Sequence, residues 1–338
     1  MFTGYILEES LSEVTDVVFA LDSIPAVLAV TTEPLIAYTV ELLYVKQPGA
    51  LMANTRADYV PLFERKPLKL PGNARVAVWP VINVEEWDIN APMARTVLPP
   101  PQGVTVLPDI ANFGWFDYGL RVGFWRLKGV LDRHGIRATV SLNASICHSY
   151  PQIVDTSLAS GWEMLGHGFI QRALNVETDE REVIRRSITT IKAYTGKAPR
   201  GWMGPGLAET FHTPDILAEE GIEYVCDWCN DDQPYRMKVA HGSLVSIPYT
   251  VELNDIPIYL IQHHGSSEIF TRARDHFDTL YEEGAESARI MAISTHPYIT
   301  GVPHRIKYYD MIFNYIRQFA GVVFMTGSEI LDWYTSVA

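Results

Sequence analysis

From residue 75 onward, short apolar runs that stop abruptly at polar residues alternate with stretches whose apolar residues recur at helical spacing. The runs predict strands at 75–84, 138–142, 163–166, 200–203, 223–227, 244–248, 258–262 and 289–294. The helical spacing predicts helices at 119–135, closed by Gly135, and at 179–194, 213–221, 304–319 and 329–334. Thr213-Pro214 opens the third of these with a capping hydroxyl and a proline in the first turn. Strands alternating with helices over about 260 residues predict an α/β protein built on a parallel sheet or barrel.

The first forty-five residues read differently. They contain no Lys or Arg, whereas Glu8, Glu9, Glu13, Asp16, Asp22, Glu33 and Glu41 are all acidic. This is over half of the net charge of −13. The start lacks the basic residues of a secretory signal. The apolar run at 17–40 is broken by Asp22, Pro25, Glu33 and Pro34, so a membrane span is not expected. A basic, proline-containing linker, FERKPLKLP at 63–71, precedes the first strand.

With 47% hydrophobic and 20% charged residues, the 338-residue chain has the composition of a globular protein. The acidic balance disfavours nucleic acid and anionic lipid as partners, since phosphate contacts need clustered cations. Cys147, Cys226 and Cys229 are too few and odd in number for a disulfide scaffold, which fits a reducing compartment and predicts a cytoplasmic location. Cys226-Asp-Trp-Cys229 has CxxC spacing but no second pair to complete a zinc site, and reads as incidental.

In α/β barrels chemistry sits at the carboxyl ends of the strands. There the sequence places Asn83, Glu85 and Glu86; then His167 and Gln171; then Asp227, Asn230, Asp231 and Asp232; and finally His263, His264 and His296. Singly these are loop and turn residues. Together, paired carboxylates and histidines converging on one pocket can bind a metal, activate water and protonate a leaving group, which is the chemistry of hydrolysis.

The strings WPVINVEEWDIN at 79–90, GWEMLGHGFIQRAL at 161–174, PRGWMGPGLAETFHTPDILAEEGIEYV at 199–225, NDDQPY at 230–235 and STHPYITGVPHR at 294–305 are similar to the polysaccharide deacetylase superfamily with its NodB homology domain. They most resemble the branch that looks like the metal-independent allantoinases. The resemblance covers residues from about 59 to 334 and implies a distorted (β/α) barrel over 46–338, with 1–45 as an atypical extension. It implies a hydrolase of carbon-nitrogen bonds in N-acetyl sugars or ureides, and a homo-oligomer. Glu85 and Glu86 stand where the family has an Asp-Asp pair of base and metal ligand. His167 and Gln171 stand in its His-x-x-x-His motif, and His296 takes the place of its general acid. A divalent ion such as zinc would then be held by Glu86, His167 and Gln171, although a glutamine is a poor zinc ligand beside imidazole. The Arg that orients the base in the family is replaced by Trp202 or Met203, with Arg200 out of register. Asp231, Asp232, His263 and His264 are expected to line the pocket, with Trp87, Trp202 and Tyr298 as walls. Separately, VVFALDSIPAVLAVTTEPLIAYT at 17–39 resembles one transmembrane stretch of TerC-type membrane proteins and reads as a fused fragment without a carried-over function.

Two functions follow. The first is a hydrolase of a small amide, ureide or N-acyl compound, in which Glu85 or Glu86 activates water and His296 donates the proton. The alternative, motivated by Gln171 and the missing Arg, is a catalytically inactive barrel that binds a small ligand.

Overall fold

A computed structural model describes residues 54–101 and 103–338. The TerC-like stretch and the expected boundary at residue 45 lie outside the described residues. The compact unit is Arg56–Ala338. Its nine strands form one curled sheet in the order β6-β7-β5-β4-β3-β2-β1-β8, with β9 also on β1. They are β1 (Val76–Val84), β2 (Thr139–Leu142), β3 (Glu163–Gly166), β4 (Gly201–Trp202), β5 (Tyr224–Val225), β6 (Tyr235–Met237), β7 (Leu244–Ser246), β8 (Arg289–Thr295) and β9 (Val322–Phe324). All pairings are parallel except β6 with β7. The Ile290 and Ser294 amides of β8 donate to the carbonyls of Asp232 and Leu253, which partly bridges the open side of this distorted barrel.

Besides a single turn at Ile146–Ser149, the α-helices are α1 (Ile110–Tyr118), α2 (Phe124–His134), α3 (Pro151–Ala159), α4 (Glu180–Thr195), α5 (Thr213–Glu219), α6 (Glu268–Glu283), α7 (Ile306–Ile316) and α8 (Gly327–Val337). Local chemistry explains several ends. Asp109 and Asp179 cap α1 and α4 through their side chains, Gly135 and Gly196 end α2 and α4 in the left-handed region, and Thr326 with Glu329 forms a capping box on α8.

Every residue of β1 is buried, and its two faces go to different cores. Val76, Val78, Ile82 and Val84 pack with α2, α6 and α7, whereas Ala77, Trp79 and Val81 pack inside the barrel with Leu165, Met203, Tyr224 and Ala292. This period of two fixes which side chains beyond the strand face inward.

Two expectations are corrected. The run at 258–262 is not a strand: Ile256–Ile261 is π-helical, since a short apolar run does not by itself discriminate strand from helix. Strands β6 and β9 and helices α3 and α6 were not legible as elements, and the helical region expected from 119 begins at Ile110. That region contains a π-helical turn, Gly119–Gly123, against which the loop after β8 is seated. A Cβ on Gly119 would lie 2.6 Å from the Tyr298 amide nitrogen, and one on Gly123 would lie 2.0 Å from the Pro297 carbonyl oxygen. Among the described residues no helix is long and apolar enough to cross a membrane.

Since backbone faces backbone there, Gly123→Ala is expected to push the 296–301 loop off its seat. Overpacking of this kind costs about 1–3 kcal/mol. Calorimetry should show a lowered Tm, and a variant as stable as the parent would remove this contact as a constraint on the loop.

Candidate active site

The strand registers define a level row across the sheet. Val84 is paired with Leu142, Leu142 with Gly166, Gly166 with Trp202, Trp202 with Val225 and Val225 with Ser246. The next residues along, Glu85, Asn143, His167 and Met203, are therefore neighbours at the carboxyl end. Ile82 pairs with Thr295, which brings His296 into the same region. Glu85, His167, Met203 and His296 line one cleft.

Glu85 and His296 are both almost fully buried. Glu85 Oε1 lies 3.3 Å from His296 Nε2 and 3.7 Å from His167 Nε2, and it accepts a 2.8 Å hydrogen bond from Gln171 Nε2. On the far side of the His296 ring, Nδ1 donates to Asp255 Oδ1 at 2.6 Å. Asp255 Oδ2 accepts the His296 amide at 2.8 Å and the Thr300 hydroxyl at 2.6 Å. The imidazole is thus held between two buried carboxylates.

Burial alone would lower the His296 pKa, but the charges of Glu85 and Asp255 prevail and raise it from 6.5 to about 9. Burial alone would raise that of Glu85, but the positive His296 first and then the neighbouring His167 hold it at about 2, below its ordinary 4.5. At neutral pH the pair is therefore imidazolium and carboxylate, and it titrates as a unit. Burial, and then the charge of Glu85, push the Tyr298 hydroxyl well above its ordinary range, so it stays protonated.

The remaining first-row geometry follows from donors and acceptors. Asn143 Oδ1 accepts the Glu86 amide, and its Nδ2 donates to the His167 carbonyl and, at 3.2 Å, to Gln171 Oε1. The polarity of Asn143 is fixed by backbone on both sides, which turns the Gln171 oxygen to Asn143 and its nitrogen to Glu85. His167 Nδ1 donates to the Met203 carbonyl at 2.7 Å, and Nε2 is buried without a hydrogen-bond partner. Asp227 accepts the Gly204 amide with both oxygens, at 2.8 and 3.0 Å, and holds the turn that presents that carbonyl.

Several residues expected together are apart. Glu86 has the opposite parity from Glu85 and does not line the cleft; its charge acts on Tyr150 instead. Trp202 likewise faces outward, fully buried with Ile184, Leu217 and Val225, and is no pocket wall. His263 and His264 are exposed beyond the π-helical turn. Asp231 and Asp232 line a second cavity, with Asp231 bound to Arg65 at 2.6 Å. Arg200 is engaged outside by Glu223 and Asp332. Trp87 and Tyr298 are not among the residues lining the cleft: both pack on Phe116 with ring centroids 4.6 and 4.7 Å away, and the Tyr298 ring also lies 5.8 Å from that of His296.

A polysaccharide deacetylase family model matches residues 114–225. A polysaccharide deacetylase-type protein of Schizosaccharomyces pombe is 28% identical over 79% of this chain and 92% of its own. The peptidoglycan deacetylase of Helicobacter pylori is 24% identical over 67% of this chain and 87% of its own. Among solved structures, a polysaccharide deacetylase-type protein of Pseudomonas aeruginosa superposes with a TM-score of 0.71 at 26% identity, over 81% of this chain and 95% of its own. PuuE allantoinase superposes equally well, with a TM-score of 0.71 at 25% identity, over 83% and 98%. The chain is thus similar to polysaccharide deacetylases over most of its length, with residues 114–225 matching their family model. These comparisons lend no support to the TerC-like reading of residues 17–39.

Within this deacetylase fold, the residues do not fit the divalent ion that the family resemblance implies. Gln171 turns its nitrogen, a donor that cannot ligate, to the cleft, and Glu86 is on the other face. Among the described residues no three His, Cys, Asp or Glu side chains converge as metal ligands. Asp255 is one residue that sequence reasoning missed. It stands immediately before the π-helical turn Ile256–Ile261 without capping it through its side chain, and reading that turn as a strand hid it.

The titration has a defined sign. His296 is raised, so its contribution to stability is complete below its unfolded value of 6.5 and is lost as pH rises through about 9. Glu85 is depressed, so its contribution is complete above 4.5 and is lost as pH falls through about 2. Removing one of the two charges that raise His296, by Asp255→Asn, is expected to move the alkaline midpoint down by about one unit or more. NMR titration of the His296 ring and Tm against pH would measure it; an unmoved midpoint would show that Asp255 does not set this charge.

Proposed function

We propose that the cleft hydrolyses the carbon-nitrogen bond of a small amide, ureide or N-acyl compound, with Glu85 and His296 as the reacting pair. The observation that carries this is the geometry of the buried His296 ring, held by Asp255 at one nitrogen and 3.3 Å from Glu85 at the other, on the lining of the cleft. Amide and ureide nitrogens are poor leaving groups until protonated, and an imidazolium near the operating pH is the suited donor. The cleft has a volume of about 160 Å³, which suits a small substrate. The likeness to PuuE allantoinase supports the same class.

Proton movements close within the pair. While His296 is cationic, Glu85 is too weak a base to draw a proton from water. As the His296 proton passes to the departing nitrogen, the charge that held Glu85 down is withdrawn, and its burial then favours taking the proton from the attacking water. Hydroxide adds to the carbonyl carbon and the carbon-nitrogen bond breaks, leaving an acid and an amine. The proton on Glu85 returns to His296 Nε2 across the 3.3 Å contact, which restores the resting pair. Gln171, by donating to Glu85 Oε1, orients the carboxylate so that Oε2, buried and without a hydrogen bond, is left for water.

Glu85→Gln and His296→Gln, assayed on allantoin and on small N-acetyl and N-carbamoyl compounds, are each expected to lower kcat by about 10²–10⁴-fold. The rate should decline above pH about 9, where His296 loses its proton. Turnover that survives either substitution would remove that residue from the chemistry. Binding without turnover by the parent protein would favour the inert ligand-binding barrel.

A further inference from the structure

Arg95 lines the same cleft as Glu85, His167 and His296. It was not among the residues singled out from the sequence, because it stands in an irregular proline-rich loop rather than at a strand end. Other half-buried arginines are engaged: Arg56 by Asp215, Arg65 by Asp231 and Arg272 by Glu268, while Arg75 and Arg305 lie over the rings of Tyr281 and Tyr259. For Arg95 no carboxylate or carbonyl among the described residues fills that role. The nearby acids are already committed: Asp255 to the His296 amide, the His296 ring and Thr300, and Glu85 Oε1 to Gln171 and His296.

The loop is nonetheless held in place. Asn112, only 1% exposed, accepts the amides of Val97 and Leu98 at 2.8 and 3.0 Å and returns a 3.0 Å bond to the Leu98 carbonyl. Asp109 fixes the Asn112 amide group from behind at 2.7 Å. Met93 is buried two residues before Arg95. A guanidinium whose backbone is pinned on both sides, and which faces a cavity without a protein partner, is a preorganised donor for a planar anion.

We propose that Arg95 binds a carboxylate of the substrate, so that the cleft selects small amides or ureides that carry an anionic group. This rests on the hydrolytic reading of the cleft and adds its specificity. Glu85 and Asp255 flank the His296 ring, whereas Arg95 is a cation on the cleft lining with no ion-pair partner among the described residues. A bidentate guanidinium-carboxylate pair discriminates against a neutral isostere, because only the charged partner satisfies both donors.

The test compares matched probes, N-carbamoylglycine and N-carbamoylglycinamide, with the full chain. Titration calorimetry reads affinity, and initial rates read KM and kcat where either probe is turned over. The parent should favour the carboxylate about tenfold or more. Arg95→Ala should abolish that preference, raising KM for the carboxylate probe about tenfold or more and changing KM for the neutral probe less, and Arg95→Lys should restore part of it. Circular dichroism confirms that the variants are folded. A parent without preference, or a preference that survives Arg95→Ala, overturns the proposal. An equal loss of kcat on both probes overturns it too, by placing Arg95 on the reacting carbonyl. Binding preference without turnover of either probe would uphold Arg95 as the anchor while refuting hydrolysis of this substrate class.

Discussion

The buried imidazolium of His296 between Asp255 and Glu85 is the interaction on which the site depends. A charge placed so deep is strongly disfavoured unless opposite charges and hydrogen bonds surround it. Here the compensation is distributed over the sequence: Glu85 comes from the end of β1, His296 from the end of β8, and Asp255 from the π-helical turn between β7 and α6. Removal of either carboxylate leaves the other charges without their balance. Strands β1 and β8 and a largely buried turn are thereby linked through one proton-bearing ring.

Such a site needs a frame that does not yield, and the opposite end of the barrel supplies it through a second buried polar cluster. Glu163, the first residue of β3, accepts the hydroxyls of Thr139 and Tyr224 at 2.8 and 2.9 Å and the Ser328 amide of α8 at 3.1 Å. Trp79 in turn donates its indole nitrogen to Thr139 at 2.8 Å. The carboxylate sits at the N-terminus of α8, where the helix dipole favours negative charge. Sheet and closing helix are locked together at the amino end of the strands, leaving the carboxyl end free to carry polar residues whose placement serves chemistry rather than packing.

Much of this was legible in the chain. The apolar runs located β1, β3 and β8, and reading polar residues at their ends brought out Glu85, His167 and His296, which do share a cleft. What failed was side-chain direction. Glu85 and Glu86 are adjacent, and only the alternation of β1, with Ala77, Trp79 and Val81 inside, shows that one of them enters the barrel. The same parity sends Met203 inward and Trp202 outward. Asp255 was hidden by an apolar run that folds as a helical turn, and Arg95 by a loop with no periodicity, whose course depends on the distant side chain of Asn112. Tertiary hydrogen bonding of this kind leaves no local signature.

Where the family resemblance implies a histidine, Gln171 has a structural logic of its own. Once Asn143 is fixed by the Glu86 amide and the His167 carbonyl, position 171 must present an acceptor to Asn143 and a donor to Glu85. A carboxamide meets both demands at once; a neutral imidazole could do so as well, but its second nitrogen would then point at Asn143 rather than remain available as a ligand. The position therefore serves to orient the carboxylate. With Glu86 on the other face, the donors that would surround an ion are replaced by a chain of amides that aligns Glu85 with His296. The proton held between them, with Tyr298 kept neutral nearby, is what this arrangement stabilises.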